Sequence, residues 1–242
     1  MAEARTLVDG GREARRAIEA GVVVDAAFVC PGLVRGEDAE AAVRMLSGGT
    51  TPVYEVSERV HDRLAFGNRG DGLVLVIQTP STDLDALHVG PDPLLLVTED
   101  VEKPGNLGAI LRTADGAGCD AVIAIGGTDV FNPNVVRASV GTVFTVPIAT
   151  TTAAVALAWL RGHGLRIVTA RVDAPTPYAS ADLTGSVALL LGSESDGLSA
   201  TWHDSRMEGV VIPMSGIADS LNVAATAAVL AFEARRQRDA RR

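Results

Sequence analysis

The hydrophobic positions of this chain change period several times, and those changes divide it into elements. Near the start, Ala14, Ala17, Ile18 and Gly21 recur at helical spacing, which predicts a helix with Asp9 as its N-cap. Short apolar runs then alternate with helical patterns: a strand over residues 25–30, a helix over 37–46, a strand over 52–56, a short helix from Ser57 and a strand over 72–77. Together these predict a small α/β unit covering residues 1–80. Residues 79–93 break the rhythm with three prolines among Ser, Thr and Asp, so 81–93 is expected to be a linker.

From Leu94 the strand–helix rhythm resumes, with strand-like runs over 94–97, 121–125, 165–168, 187–191 and 210–212. These runs are almost continuously apolar rather than alternating, the pattern of strands buried on both faces, so an α/β domain with a parallel sheet is expected over 94–242. Ligands of such sheets bind beyond the carboxyl ends of the strands, which makes the loops after these runs the places to look for chemistry.

Composition narrows the class. With 47% hydrophobic and 21% charged residues the chain is globular rather than disordered or fibrous. No apolar run approaches the roughly 18 residues that span a bilayer, and the first residues lack a signal-peptide layout; a cytoplasmic protein without a membrane partner is expected. Cys30 and Cys119 lie in apolar surroundings and read as buried thiols rather than a disulfide. His61, His88, His163 and His203 lack ligand spacing, and no metal is expected. A net charge of −9 discourages non-specific nucleic-acid binding. Lys103 is the only lysine among 21 basic side chains; arginine suits phosphate recognition, but a GC-rich coding sequence would bias usage the same way.

Three segments carry candidate chemistry. In the first, from Lys103 to Asp115, a Pro-Gly turn leads to Asn106 as a candidate N-cap; Leu107, Ile110, Leu111 and Ala114 form one apolar stripe, and Gly118 ends the helix. Arg112 lies off that stripe, where it could simply pair with Asp115. In the second, the strand ending Leu189-Leu190-Leu191 runs into Gly192-Ser193-Glu194-Ser195-Asp196-Gly197, a loop that lets a ligand approach the backbone. It matches neither the hydrolase elbow nor the dinucleotide and phosphate loops. In the third, Ile212-Pro213-Met214 leads through Asp219-Ser220-Leu221-Asn222 into an alanine-rich helix, capped by Asp219 or Ser220, that ends near Arg238.

Taken in order, Asn106-Leu107-Gly108-Ala109 with Arg112, Leu191-Gly192-Ser193-Glu194 with Gly197, and Ile212-Pro213-Met214 with Ser220-Leu221-Asn222-Val223 closely resemble the three motifs of the SpoU (TrmH) family of RNA ribose 2'-O-methyltransferases. Residues 94–242 resemble its catalytic domain, and residues 1–80 are similar to the ribosomal-protein-like RNA-binding domain often fused in front. The chain departs from the family pattern at Lys103, where Asp is common, and at Ser195, where Gly is common; neither position is expected to do chemistry.

The resemblance implies a C-terminal trefoil knot and a homodimer that places the catalytic arginine of one subunit near the cofactor of the other. It also implies S-adenosylmethionine, bound by Thr169, Ala170, Leu191, Gly192, Glu194, Ile212, Met214, Ser220, Leu221 and Asn222. Arg112 matches the catalytic arginine, with Asn106, Glu194, Ser220 and Asn222 orienting it, the ribose and the cofactor. Arg137, in a further family-like stretch, is expected either to contact RNA phosphate or to be an ordinary surface arginine. Arg12, Arg15 and Arg16 form either an RNA-binding cluster or a solvated helix face. The implied substrate is rRNA, in particular 23S, as housekeeping or as antibiotic resistance. The alternatives are a tRNA 2'-O-methyltransferase and a catalytically inert RNA-binding or ribosome-assembly protein of the same fold.

Overall fold

A computed structural model describes residues 4–66, 71–204 and 206–241. The chain forms two compact units, one of residues 1–81 with 129–145, the other of 82–128 with 146–242.

The first unit contains β1 (Arg5–Asp9), α1 (Gly11–Glu19), β2 (Val24–Val29), α2 (Glu37–Ser47), β3 (Val53–Glu55), α3 (Glu58–Leu64) and β4 (Leu73–Gln78). Its mixed sheet has the order β1-β4-β2-β3, with β4 antiparallel to both neighbours and β2 parallel to β3. Strand β1 has no counterpart among the predicted elements, because Arg5 and Asp9 hide a short run whose inner residues pair with β4. Asp9 is not a helix cap: Gly10 occupies that position with φ 120°, while the Asp9 carboxylate accepts from the Phe66 amide at 2.7 Å and burial raises its pKa.

The second unit contains β5 (Leu94–Glu99), α4 (Pro104–Ala117) and β6 (Ala121–Ile125). After α5 (Pro133–Ala138), which belongs to the first unit, it continues with β7 (Ile148–Thr151), α6 (Ala153–Gly162), β8 (Arg166–Ala170), β9 (Thr176–Pro177), β10 (Val187–Leu191), β11 (Glu208–Val211) and α7 (Val223–Asp239). Its sheet has the order β7-β6-β5-β10-β8-β11-β9, and every pairing is parallel. Every residue of β5, β6 and β10 is buried, which is why these strands read as unbroken apolar runs. Trp202, Leu95, Ile123, Leu160 and Leu190 belong to one core cluster of this unit.

Residues 129–145 interrupt the continuous 94–242 span expected from sequence. Val130, Phe131, Val135 and Val136 are buried. Phe131 O accepts from Thr6 Oγ1 at 2.7 Å, and Val140 O accepts from Arg16 Nη1 at 2.7 Å, so the segment is bonded to β1 and α1. Both cysteines are buried and free. Burial pushes the Cys119 thiol up to about 12, leaving it neutral and unreactive at ordinary pH. Among the described residues no helix is long and apolar enough to cross a membrane.

Candidate functional site

Helix α4 begins one turn earlier than its sequence suggests. Pro104 takes the first helical position, where its missing N–H costs nothing, and Lys103 stands at the N-cap without a side-chain cap bond. The helix ends at Gly118 in the left-handed region, φ 66°, with Cys119 N donating to Ala114 O at 2.8 Å. Asn106 is therefore not the cap. Its amide lies in the first turn, free to reach other segments. The cap of α7 is likewise neither Asp219 nor Ser220 but Asn222, whose Oδ1 accepts from Ala224 N at 3.0 Å.

These two shifts bring three of the expected polar residues together. Asn106 Nδ2 donates to Glu194 Oε1 at 3.1 Å, Asn222 Nδ2 donates to the same oxygen, and Asn222 Nδ2 also reaches Asn106 Oδ1 at 3.2 Å. Lys103, which the sequence reading set aside, donates from Nζ to Glu194 Oε2. The pKa of Glu194 is lowered, first by the hydrogen bond and charge of Lys103 and then by the two amides, so this carboxyl stays ionised at neutral pH.

Glu194 rides on a tight loop after β10. Ser193 N donates to Gly197 O at 3.0 Å and Gly197 N to Ser193 O at 3.2 Å, while Ser193 Oγ accepts from Asp196 N at 3.0 Å. Gly197 turns the chain with φ 68°. Gly192 is required for a different reason: a Cβ there would come within 2.6 Å of Leu198 N and still closer to the Gly197 carbonyl. The loop is anchored from below by Glu99 at the end of β5, only 3% exposed. Its Oε2 accepts from Ser199 N at 2.7 Å, and its Oε1 from Ser199 Oγ at 2.8 Å and Trp202 Nε1 at 3.0 Å. Sequence reading missed this carboxylate because its partners lie about a hundred positions away.

Above the loop opens a cleft of about 560 Å³. Its walls are the segments leaving β8, β10 and β11, which are neighbours in the sheet, together with the start of α7. This is the strand-end position expected of a parallel sheet. Ala170, Leu191, Gly192, Glu194, Ile212, Ser220 and Leu221 line it. Thr169, Met214 and Asn222 do not: Thr169 is buried, with Oγ1 donating to Glu208 O at 3.3 Å, and the Asn222 side chain bonds to Glu194, which does line it. Asp219, expected from sequence only as a helix cap, also lines it, as do Arg171, Asp173 and His203, which were not expected at a site. For Arg171 and Asp173 the signal existed, since they directly follow β8; for His203 it did not, because it sits in an irregular segment.

Arg112 is exposed and makes no hydrogen bond or ion pair with a described residue, Asp115 included. It lies six residues after Asn106, about 9 Å along the helix axis and about 120° around it. The other expected arginines are engaged within the first unit. Arg15 pairs with Glu19 at 2.7 Å and Asp38 at 3.1 Å, Arg12 with Asp38 at 3.7 Å, and Arg137 Nη1 donates to Phe66 O.

Comparison with known proteins places this geometry. The SpoU rRNA Methylase family model matches residues 93–232. A 23S rRNA (guanosine-2'-O-)-methyltransferase RlmB of Ralstonia nicotianae is 40% identical over 181 residues, 72% of this chain and 73% of that protein. The 23S rRNA (uridine(2479)-2'-O)-methyltransferase of Streptomyces viridochromogenes is 35% identical over 69% of this chain and 60% of its own length. Among solved structures, an RNA 2'-O ribose methyltransferase superposes with a TM-score of 0.85 at 37% identity, covering 98% of this chain and 90% of that one. The SpoU methyltransferase AviRb from Streptomyces viridochromogenes, in complex with the cofactor AdoMet, gives a TM-score of 0.85 at 29% identity over 98% of this chain and 91% of its own. With the family model spanning more than half the chain and these relatives alike over most of their length, the chain belongs to the SpoU rRNA methylase family.

Proposed function

We propose that the protein transfers the methyl group of S-adenosylmethionine to a ribose 2'-hydroxyl of large-subunit ribosomal RNA. The observation that carries this reading is the strand-end cleft beside the Glu194, Asn106 and Asn222 cluster. The cleft suits an adenosine-bearing cofactor. At Gly192 the packing excludes a side chain, so backbone groups are presented to the ligand, while Leu191, Leu198, Ile212 and Leu221 supply apolar cover for a purine. When bound, S-adenosylmethionine supplies an electrophilic methyl group on a sulfonium. Ala170, Leu191, Gly192, Ile212, Ser220 and Leu221 would hold it, with Thr169, Met214 and Asn222 supporting the same loops.

The chain's own groups divide the remaining work. A guanidinium donates and does not accept, and among the described residues Arg112 has no hydrogen-bond or ion-pair partner, so it is read as a donor that stabilises charge developing on the ribose oxygen and holds a neighbouring phosphate. The ionised Glu194 keeps the Asn106 and Asn222 amides in one orientation. Ser220, on the cleft wall, offers a hydroxyl to the ligand.

The direction of Arg112, turned away from Asn106 around α4, supports a homodimer in which it serves the partner subunit's cofactor. Phe232, 51% exposed on α7 beside Gly116 of α4, supports the same assembly through these helices. Strand β11 lies outside β8, yet α7 returns to pack on α4, β5 and β10, which supports the trefoil knot. The unit containing residues 1–80 is read as the RNA-binding domain, and the enzyme as cytoplasmic. An rRNA substrate is favoured because full-length likeness is to the rRNA enzymes. The tRNA modifying enzyme of A. aeolicus covers only 62% of this chain, at a TM-score of 0.56.

The test is methyl transfer from labelled S-adenosylmethionine to unmodified large-subunit rRNA and, separately, to tRNA, with the label mapped to one nucleotide. A 2'-O-methyl group on rRNA is expected. Label on tRNA alone would overturn the substrate, and label on a base would overturn the reaction.

A further inference from the structure

In a chain whose every other basic side chain is arginine, the one lysine stands at the mouth of the site, immediately before α4, with its ammonium on Glu194. We propose that Lys103 is a positioning residue: by occupying one oxygen of Glu194 it fixes how the other oxygen presents itself to Asn106 and Asn222. This rests on the reading of that cluster as part of the methyl-transfer site.

The division of bonds supports it. Lys103 takes Oε2 and leaves Oε1 to both amides. Asn106 Oδ1 then faces the Asn222 amide at 3.2 Å, and Asn222 Oδ1 faces Ala224 N at 3.0 Å, so the orientation of each amide follows from a carboxylate that only accepts. Lys103 also has an electrostatic role. With Asp100, Glu102 and Glu194 it lines a second cavity of about 340 Å³, where it is the only cation among three carboxylates. Without it Glu194 loses the hydrogen bond and the charge that most lower its pKa. The choice of lysine follows from shape. An ammonium is a single point charge, whereas a guanidinium fork would engage both carboxylate oxygens and displace the amides from Oε1.

The experiment compares the full-length protein with Lys103→Met and Lys103→Arg. For Lys103→Met we expect kcat to fall about tenfold through misoriented amides, and the acid limb of its pH profile to move to higher pH, because the neighbour that most lowers the Glu194 pKa is gone. Cofactor affinity should change little. Lys103→Arg is expected to lose at least as much without that shift of the acid limb. Parental kcat and pH profile in Lys103→Met, or full activity in Lys103→Arg, would overturn the proposal.

A second readout needs no methyl transfer. Lys103 carries the only side-chain amine, so its acylation by an amine-reactive ester can be followed by mass after peptide digestion. Acylation should be several-fold slower in the parent than in Glu194→Gln, and equal rates would overturn the ion pair. If the parent transfers no methyl group but shows this difference, the functional reading fails while the Lys103–Glu194 arrangement stands.

Discussion

Glu99→Gln is the most informative single-atom change in the second unit. The wild-type carboxylate offers four lone-pair sites to three donors, Ser199 N, Ser199 Oγ and Trp202 Nε1, and has no donor of its own. Glutamine is nearly isosteric but replaces one acceptor oxygen with an NH2. With its carbonyl in the place of Oε1, the amide faces the Ser199 N–H. With its carbonyl in the place of Oε2, the Ser199 hydroxyl can rotate to accept, but the Trp202 N–H is left facing a donor. Trp202 is 0% exposed, so water cannot compensate. Either way one N–H loses its acceptor, and where it is the buried Trp202 N–H the cost is about 1–3 kcal/mol.

For a domain of this size that lowers Tm by roughly 2–4 °C for each kcal/mol. Because Ser199 closes the loop that begins at Gly192, the cofactor dissociation constant should rise as well, by up to about tenfold if 1.4 kcal/mol of the loss falls on the bound state. Thermal unfolding and calorimetric titration with S-adenosylmethionine measure the two effects. A Tm and an affinity both within error of the parent would refute the argument that Glu99 holds this loop by accepting from three donors.

Other expectations follow from the same site. Gly192→Ala must push its new methyl into the Gly197–Leu198 backbone, so cofactor binding should be lost with little change in far-UV circular dichroism; retained affinity would contradict the packing argument. Arg112→Ala should abolish turnover while leaving cofactor affinity nearly intact, read by single-turnover kinetics and titration; a variant with most of its rate would sink the assignment. Neutralising Arg12, Arg15 and Arg16 should reduce the salt slope of RNA binding if they contact phosphate. Their pairing with Glu19, Asp38 and Val140 O argues for an unchanged slope, which would retire them as RNA ligands.

Local pattern made much of this molecule legible. Strands β5, β6 and β10 were visible because each is buried on both faces, and α1 and α4 because their apolar positions repeat at helical spacing. Strands β1, β7 and β9 were not. The first is masked by charged ends, the second is the short Ile148–Thr151 run at the sheet edge, and the third has two residues. Helix caps were misassigned for a related reason. Asp9, Asn106 and Ser220 are all good capping residues, but sequence cannot say whether a side chain caps its own helix or serves a distant group.

The amino-acid sequence by itself determined the parallel α/β core, the strand ends as the place for a ligand, and the three motifs that identify the family. Those features depend on residue type and on spacing within a few turns of chain. Only the tertiary structure decided that Lys103 and Asn106 meet Glu194 across 91 and 88 positions, and Asn222 across 28. It likewise decided that residues 129–145 join the first unit, and that Glu99 anchors a loop about a hundred residues away. Those contacts depend on which strands lie side by side, and strand order is set by packing of the whole sheet rather than by any local period.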